Sequence, residues 1–133
     1  MSARPLILLV DDFDDAREIY STYLDFKGYR VVCAADGQEA LDAARAERPA
    51  LILLDLRMPG LTGTSVMHTL RADPAFSMVP IVALTAHALD DERDAALRAG
   101  FDGVVSKPCL PDELLRAVEQ VLSSWPGRLN SEA

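Results

Sequence analysis

Several apolar runs in this 133-residue chain end in polar residues suited to one kind of chemistry. Asp11 and Asp12 follow Leu6 to Val10, and Asp55 follows Leu51 to Leu54. Thr85 follows Ile81 to Leu84, and Lys107 follows the shorter run Gly103 to Ser106. On a common rim these residues form an acidic cup with one hydroxyl and one ammonium. Three carboxylates at close quarters repel one another and raise at least one pKa unless positive charge sits among them. A set of oxygen ligands without cysteine or histidine suits a hard cation, and few carboxylates plus waters fit Mg²⁺ better than Ca²⁺. For phosphoryl transfer each residue type then has a job: a carboxylate such as Asp55 as nucleophile, the metal on the phosphoryl oxygens, and Lys107 and Thr85 on the oxygens that remain.

Taken singly, each of these residues has a plainer reading. An Asp-Asp pair is most often a helix N-cap, an Asp between strand and turn often only caps the turn, and a single Lys before a helix is usually solvated. His68, mid-helix, reads as a surface residue. Cys33 and Cys109 fit no metal-binding spacing and read as small half-buried thiols. The case for chemistry therefore rests on convergence, which the fold must supply.

The elements that could supply it alternate along the chain. Leu6 to Val10 is a strand buried on both faces, delivering polar residues at its end. Ala16, Ile19, Tyr20, Tyr23 and Leu24 follow at helical spacing, and Gly28 is the stop. The cycle repeats: strand Arg30 to Ala34, helix Gly37 to Glu47, strand Leu51 to Leu54, helix Thr62 to Ala72, strand Ile81 to Leu84, helix Asp90 to Ala99 closed by Gly100, and strand Gly103 to Ser106. Leu114, Leu115, Val118, Val121 and Leu122 stripe a last helix whose first turn is Pro111-Asp112-Glu113. Five strands, each followed by a helix, predict an α/β fold with a parallel sheet covered on both faces. Ligands of such sheets bind beyond the carboxyl ends of the strands, where the polar residues lie.

Composition bounds the rest. A chain that is 50% hydrophobic and 26% charged can bury one core, so one domain is expected over residues 1–124, with 125–133 a loosely held tail. The longest apolar run, Pro5 to Val10, is too short to span a bilayer, which favours a soluble cytoplasmic protein without a membrane partner. The formal charge of −8 opposes direct binding to nucleic acid and favours cations and basic protein surfaces.

The constellation resembles the receiver domain of two-component response regulators over about Pro5 to Leu122. The motifs are Leu8-Leu9-Val10-Asp11-Asp12, Leu53-Leu54-Asp55-Leu56-Arg57-Met58-Pro59-Gly60, Ala83-Leu84-Thr85-Ala86 and Val105-Ser106-Lys107-Pro108. The resemblance implies a doubly wound, flavodoxin-like sheet of order 2-1-3-4-5. It makes Asp55 the phosphoacceptor, and gives Mg²⁺ the ligands Asp12, Asp55 and the backbone carbonyl of Arg57, with Asp11 helping directly or through water. Thr85 and Lys107 would contact the phosphoryl group, and the Lys107-Pro108 bond would be cis. The donor would be a phosphohistidine on a sensor histidine kinase or histidine phosphotransfer protein. A downstream protein target would bind the face of helix 4, strand 5 and helix 5, to which Arg93, Arg98, Asp112 and Arg116 contribute. Without an attached output module, the chain reads as a stand-alone, CheY-like regulator or a phosphorelay shuttle.

Two positions qualify that picture. Val104 stands where many receivers carry an aromatic switch residue, so a readout by ring rotation is unavailable and other contacts must report the added charge. Arg57 and His87 occupy positions that flank the route of hydrolytic water in receivers and are assigned to the lifetime of the phosphorylated state. Three alternatives compete. A Mg²⁺-dependent phosphatase with an aspartyl nucleophile would want a second acid two residues on, where Arg57 stands. A flavodoxin would want a phosphate loop where Asp11, Asp12, Asp14 and Asp15 stand. A degenerate receiver acting only as a docking module would not need all five active-site residue types.

Overall fold

In a computed structural model, which describes residues 4–86 and 89–124, the strands are β1 (Leu6–Val10), β2 (Arg30–Ala34), β3 (Leu51–Asp55), β4 (Ile81–Thr85) and β5 (Gly103–Ser106). The helices are α1 (Asp14–Phe26), α2 (Gly37–Glu47), α3 (Gly63–Arg71), α4 (Asp90–Ala99) and α5 (Pro111–Ser124), with a 3₁₀ turn at Pro74–Phe76 between α3 and β4. The strands pair in parallel in the order β2-β1-β3-β4-β5, the doubly wound arrangement expected. His87 and the 125–133 tail lie outside the described residues, and no described helix is long and apolar enough to cross a membrane.

Every residue of β1, β3 and β4 is buried, as parallel strands covered on both faces must be. Their side chains alternate between two cores. Ile7, Leu9, Leu51, Leu53, Val82 and Leu84 meet α1 and α5 through Tyr20, Leu24, Leu114 and Val118. On the opposite face, Leu8, Val10, Ile52, Leu54, Ile81 and Ala83 meet residues of α2, α3 and α4. The hold on α4 is the slightest: Ala96 is its one buried residue, whereas α3 buries Gly63, Val66, Met67 and Leu70.

Local chemistry sets the helix starts. Asp36 accepts from the Glu39 N–H at 2.9 Å while the Glu39 carboxylate accepts from the Ala35 N–H at 2.9 Å, a reciprocal cap for α2. Thr62, expected inside the third helix, lies outside α3 as its N-cap and accepts from the Ser65 N–H at 3.1 Å. Ile19, expected within the buried stripe of α1, is 55% exposed. Tyr20 and Leu24 are the buried residues of that helix, with Ala16 partly buried against the same core. Arg71 closes α3 by donating to the carbonyls of Phe76 (3.2 Å), Val79 (2.7 Å) and Gly100 (3.2 Å) and pairing with Asp102, so one guanidinium holds three chain segments.

The loop after β3 depends on a close approach. Gly63 donates its N–H to the Leu56 carbonyl, and a Cβ at this position would lie 2.3 Å from the Asp55 carbonyl oxygen. The start of α3 therefore rests directly on the backbone of Asp55. Gly63→Ala should destabilise the fold by about 1–3 kcal/mol, the usual cost of overpacking, read as a lower urea midpoint at unchanged slope.

Candidate functional site

At the carboxyl edge of the sheet, β1 delivers Asp11 and Asp12, β3 delivers Asp55, β4 delivers Thr85, and the residue after β5 is Lys107. Since β1 and β3 are neighbours, with Val10 level with Leu54, the acidic residues of both strands emerge side by side. One carboxylate oxygen each of Asp11, Asp12 and Asp55 falls within a 4.8 Å cluster. Asp11 is wholly buried, Asp55 and Thr85 are buried, and Asp12 is exposed. All five residues read from strand ends thus share one rim.

The two buried aspartates are held in the same way. Asp11 Oδ1 accepts from the Phe13 N–H at 2.9 Å, and Asp55 Oδ1 accepts from the Arg57 N–H at 3.0 Å. In each case a backbone donor two residues on fixes one oxygen. The other oxygens face Lys107, whose Nζ lies 2.6 Å from Asp11 Oδ2 and 3.5 Å from Asp55 Oδ2. Backbone capping and the contact with Lys107 therefore use different oxygens of the same carboxylate.

The backbone N–H of Lys107 donates to the Thr85 carbonyl at 2.8 Å, which ties the start of the following segment to the end of β4; the Lys107-Pro108 peptide bond is cis. Arg57 is exposed, and its side chain shares with Thr85 a cleft of about 500 Å³ that runs between the loop after β3 and α4. Val104 is buried in the same core as Ala83, Ala96 and Phe101, so the side chain at this position of β5 is a small aliphatic one. His68 is exposed on α3. Two supports were not singled out in the sequence: Arg17, which donates to the Asp11 carbonyl, and Tyr20, which donates to the Cys109 carbonyl. Only the polar atom of Tyr20 within an apolar stripe hinted at such a role.

Burial raises the Asp55 pKa above the ordinary carboxylate range, offset in part by the Arg57 N–H and the Lys107 charge and reinforced by Asp11 and Asp12. For Lys107 burial acts downward, but the hydrogen bond and charge of Asp11, with Asp55, outweigh it and leave the pKa raised. The cup thus carries more negative charge than its one ammonium balances, and oxygen-only donors in this cluster fit a hard divalent cation.

A carboxyl whose folded pKa lies above its unfolded value gives stability that is full at low pH and lost as pH rises through the folded value. Asp55→Asn should therefore melt above wild type at neutral pH without divalent cations. The gap should close as the pH falls below the carboxylate range, as followed by thermal denaturation across pH.

The model of the response regulator receiver domain family matches residues 7–119. An uncharacterized 14.6 kDa protein of Leptolyngbya boryana is 38% identical over 120 residues, covering 90% of this chain and 92% of the relative. A probable transcriptional regulator, ycf27, of Porphyridium aerugineum is 42% identical over 116 residues, which are 87% of this chain but 47% of the relative. This chain thus spans about half the length of that regulator. The receiver domain of the sensor histidine kinase PA1611 from Pseudomonas aeruginosa, solved with a magnesium ion coordinated in its active-site cleft, superposes with a TM-score of 0.81 at 38% identity, covering 94% of this chain and 99% of that one. With its sheet order, its acidic rim and these likenesses, the chain belongs to the response regulator receiver domains of two-component signal transduction.

Proposed function

We propose that Asp55 accepts a phosphoryl group from a phosphohistidine on a sensor histidine kinase or histidine phosphotransfer protein. The observation that carries this is the meeting of three aspartates within 4.8 Å with a lysine bridging two of them. An Asp55 carboxylate oxygen attacks phosphorus and forms the acyl phosphate O–P bond. The P–N bond to the donor imidazole breaks, and its electron pair returns to the ring nitrogen. Asp12, Asp55 and the Arg57 carbonyl would hold Mg²⁺, with Asp11 acting directly or through water, and the ion would neutralise charge on the phosphoryl oxygens. Lys107, already 3.5 Å from Asp55, meets the oxygens of a phosphoryl group bonded there, and Thr85 donates its hydroxyl to another.

The chain then acts as a phosphoacceptor that assists its own phosphorylation and dephosphorylation, in the cytoplasm beside its donor, rather than as an enzyme turning over a separate substrate. A phosphoryl group adds roughly −1.5 to −2 charges. Thr85 moving toward it would draw on the cleft it shares with Arg57, and α4 and β5 would follow. The surface made by α4, β5 and α5 carries a second cleft of about 300 Å³ lined by Arg93, Leu97, Val104 and Val121. Arg93, Arg98 and Arg116 are exposed there, with Arg116 3.7 Å from Asp112. A protein target docking at this face reads the state of Asp55 without direct nucleic-acid contact.

Incubation with acetyl phosphate and Mg²⁺ should add one phosphoryl mass to wild type, none to Asp55→Asn and none without the metal. Lys107→Ala should slow the reaction about 100-fold, the usual loss for one charge-stabilising donor. Unmodified wild type under these conditions, by intact mass, overturns the assignment. Arg57→Ala and His87→Ala should each change the decay rate of the phosphorylated protein after donor removal, and unchanged decay in both would remove these residues from control of its lifetime.

A further inference from the structure

The lysine of this site is carried by a very short strap. Between the end of β5 at Ser106 and the start of α5 at Pro111 lie only Lys107, Pro108, Cys109 and Leu110. Lys107 is tied at its own N–H to Thr85, and Leu110 at its N–H to the Glu113 carboxylate at 2.7 Å. Pro108 has no N–H to offer. The strap's middle is held from outside, by the Tyr20 hydroxyl donating to the Cys109 carbonyl at 2.9 Å, while the Cys109 thiol donates to the Tyr20 hydroxyl oxygen at 3.5 Å.

Tyr20 is an unusual occupant of its place. It is 7% exposed on the buried face of α1, beside Leu24, where a phenylalanine ring would fill the same space. Burying a hydroxyl there is unfavourable without a partner, and the partner found is the carbonyl two residues past Lys107. The bond spans 89 positions of sequence. It joins the helix that follows Asp11 and Asp12 to the strap that aims the ammonium back at Asp11.

We propose that Tyr20 is a positioning residue for phosphoryl transfer: through the Cys109 carbonyl, its hydroxyl sets where the Lys107 ammonium lies between Asp11 and Asp55. This rests on the phosphoacceptor reading above. Tyr20 itself touches neither carboxylate. Asp11 and Asp55 each keep a backbone anchor of their own, the Phe13 and Arg57 N–H groups, which do not involve Tyr20.

Tyr20→Phe removes only the hydroxyl. It should lower the rate of phosphorylation by acetyl phosphate roughly three- to tenfold, the worth of one neutral hydrogen bond, while Mg²⁺ affinity by calorimetric titration stays at the wild-type value. In a Lys107→Ala background the same substitution should have no further effect on the rate. A general loosening of the fold would slow both backgrounds alike. Amide exchange at Lys107 and Leu110 should quicken in Tyr20→Phe, a reading of the strap that needs no phosphorylation. A wild-type rate in Tyr20→Phe, an equal slowing in both backgrounds, or unchanged amide exchange would each overturn the role of Tyr20. If wild type itself takes no phosphoryl group while exchange quickens as expected, it is the phosphoacceptor reading that fails, and with it the catalytic meaning of the strap.

Discussion

Lys107 lies 2.6 Å from a carboxylate that water does not reach. A buried anion without a partner is so unfavourable that removing one member of such a pair commonly costs about 3–5 kcal/mol, so the buried charge of Asp11 depends on this ammonium for its balance, while its placement is fixed by the Phe13 N–H. The dependence runs across the sheet. Lys107 follows β5 at the edge, Asp11 follows β1, and β3 and β4 stand between them. A long, flexible lysine stem is the group able to cross that distance, and the ordering of the strap behind it is what makes the crossing reproducible.

The sheet order explains why the acids, unlike the lysine, need no reach. With β1 between β2 and β3, the chain leaves β1 toward one face and β3 toward the other side of the central crevice, and the loops after both strands splay from it. Asp11 and Asp55 stand on adjacent strand ends, each with one oxygen fixed by the backbone two residues ahead. Their other oxygens are turned to the Lys107 ammonium, at 2.6 Å and 3.5 Å, so the orientation of both carboxylates is set by the fold itself.

Strand ends were legible in the sequence because burial on both faces makes β1, β3 and β4 uninterrupted apolar runs, and the first polar residue after each run has to emerge at the rim. Helix faces were less so. Ile19 fits the helical spacing of Tyr20 and Leu24 as well as they do, yet it turns toward solvent, because periodicity gives the stripe and not its width. Thr62 was read as helix and proved to be the cap, and the 3₁₀ turn at Pro74–Phe76 went unread because three residues carry no period. The Tyr20 bond to Cys109 lay beyond reach for a different reason: a main-chain carbonyl has no letter in the sequence, and which carbonyl a tyrosine finds is decided only when α1 and α5 have packed.

Hydrophobic attachment is unevenly distributed around this sheet. At about 25 cal/mol per Å², a helix seated by one alanine methyl surrenders far less on sliding than one seated by valine, methionine and leucine. The α4 contact with its single buried Ala96 is therefore the seam of least resistance, and α3, anchored by Val66, Met67 and Leu70 and clasped by Arg71, is the fixed wall opposite. The difference between the two helices is thus one of side-chain size: Ala96 alone against Val66, Met67 and Leu70.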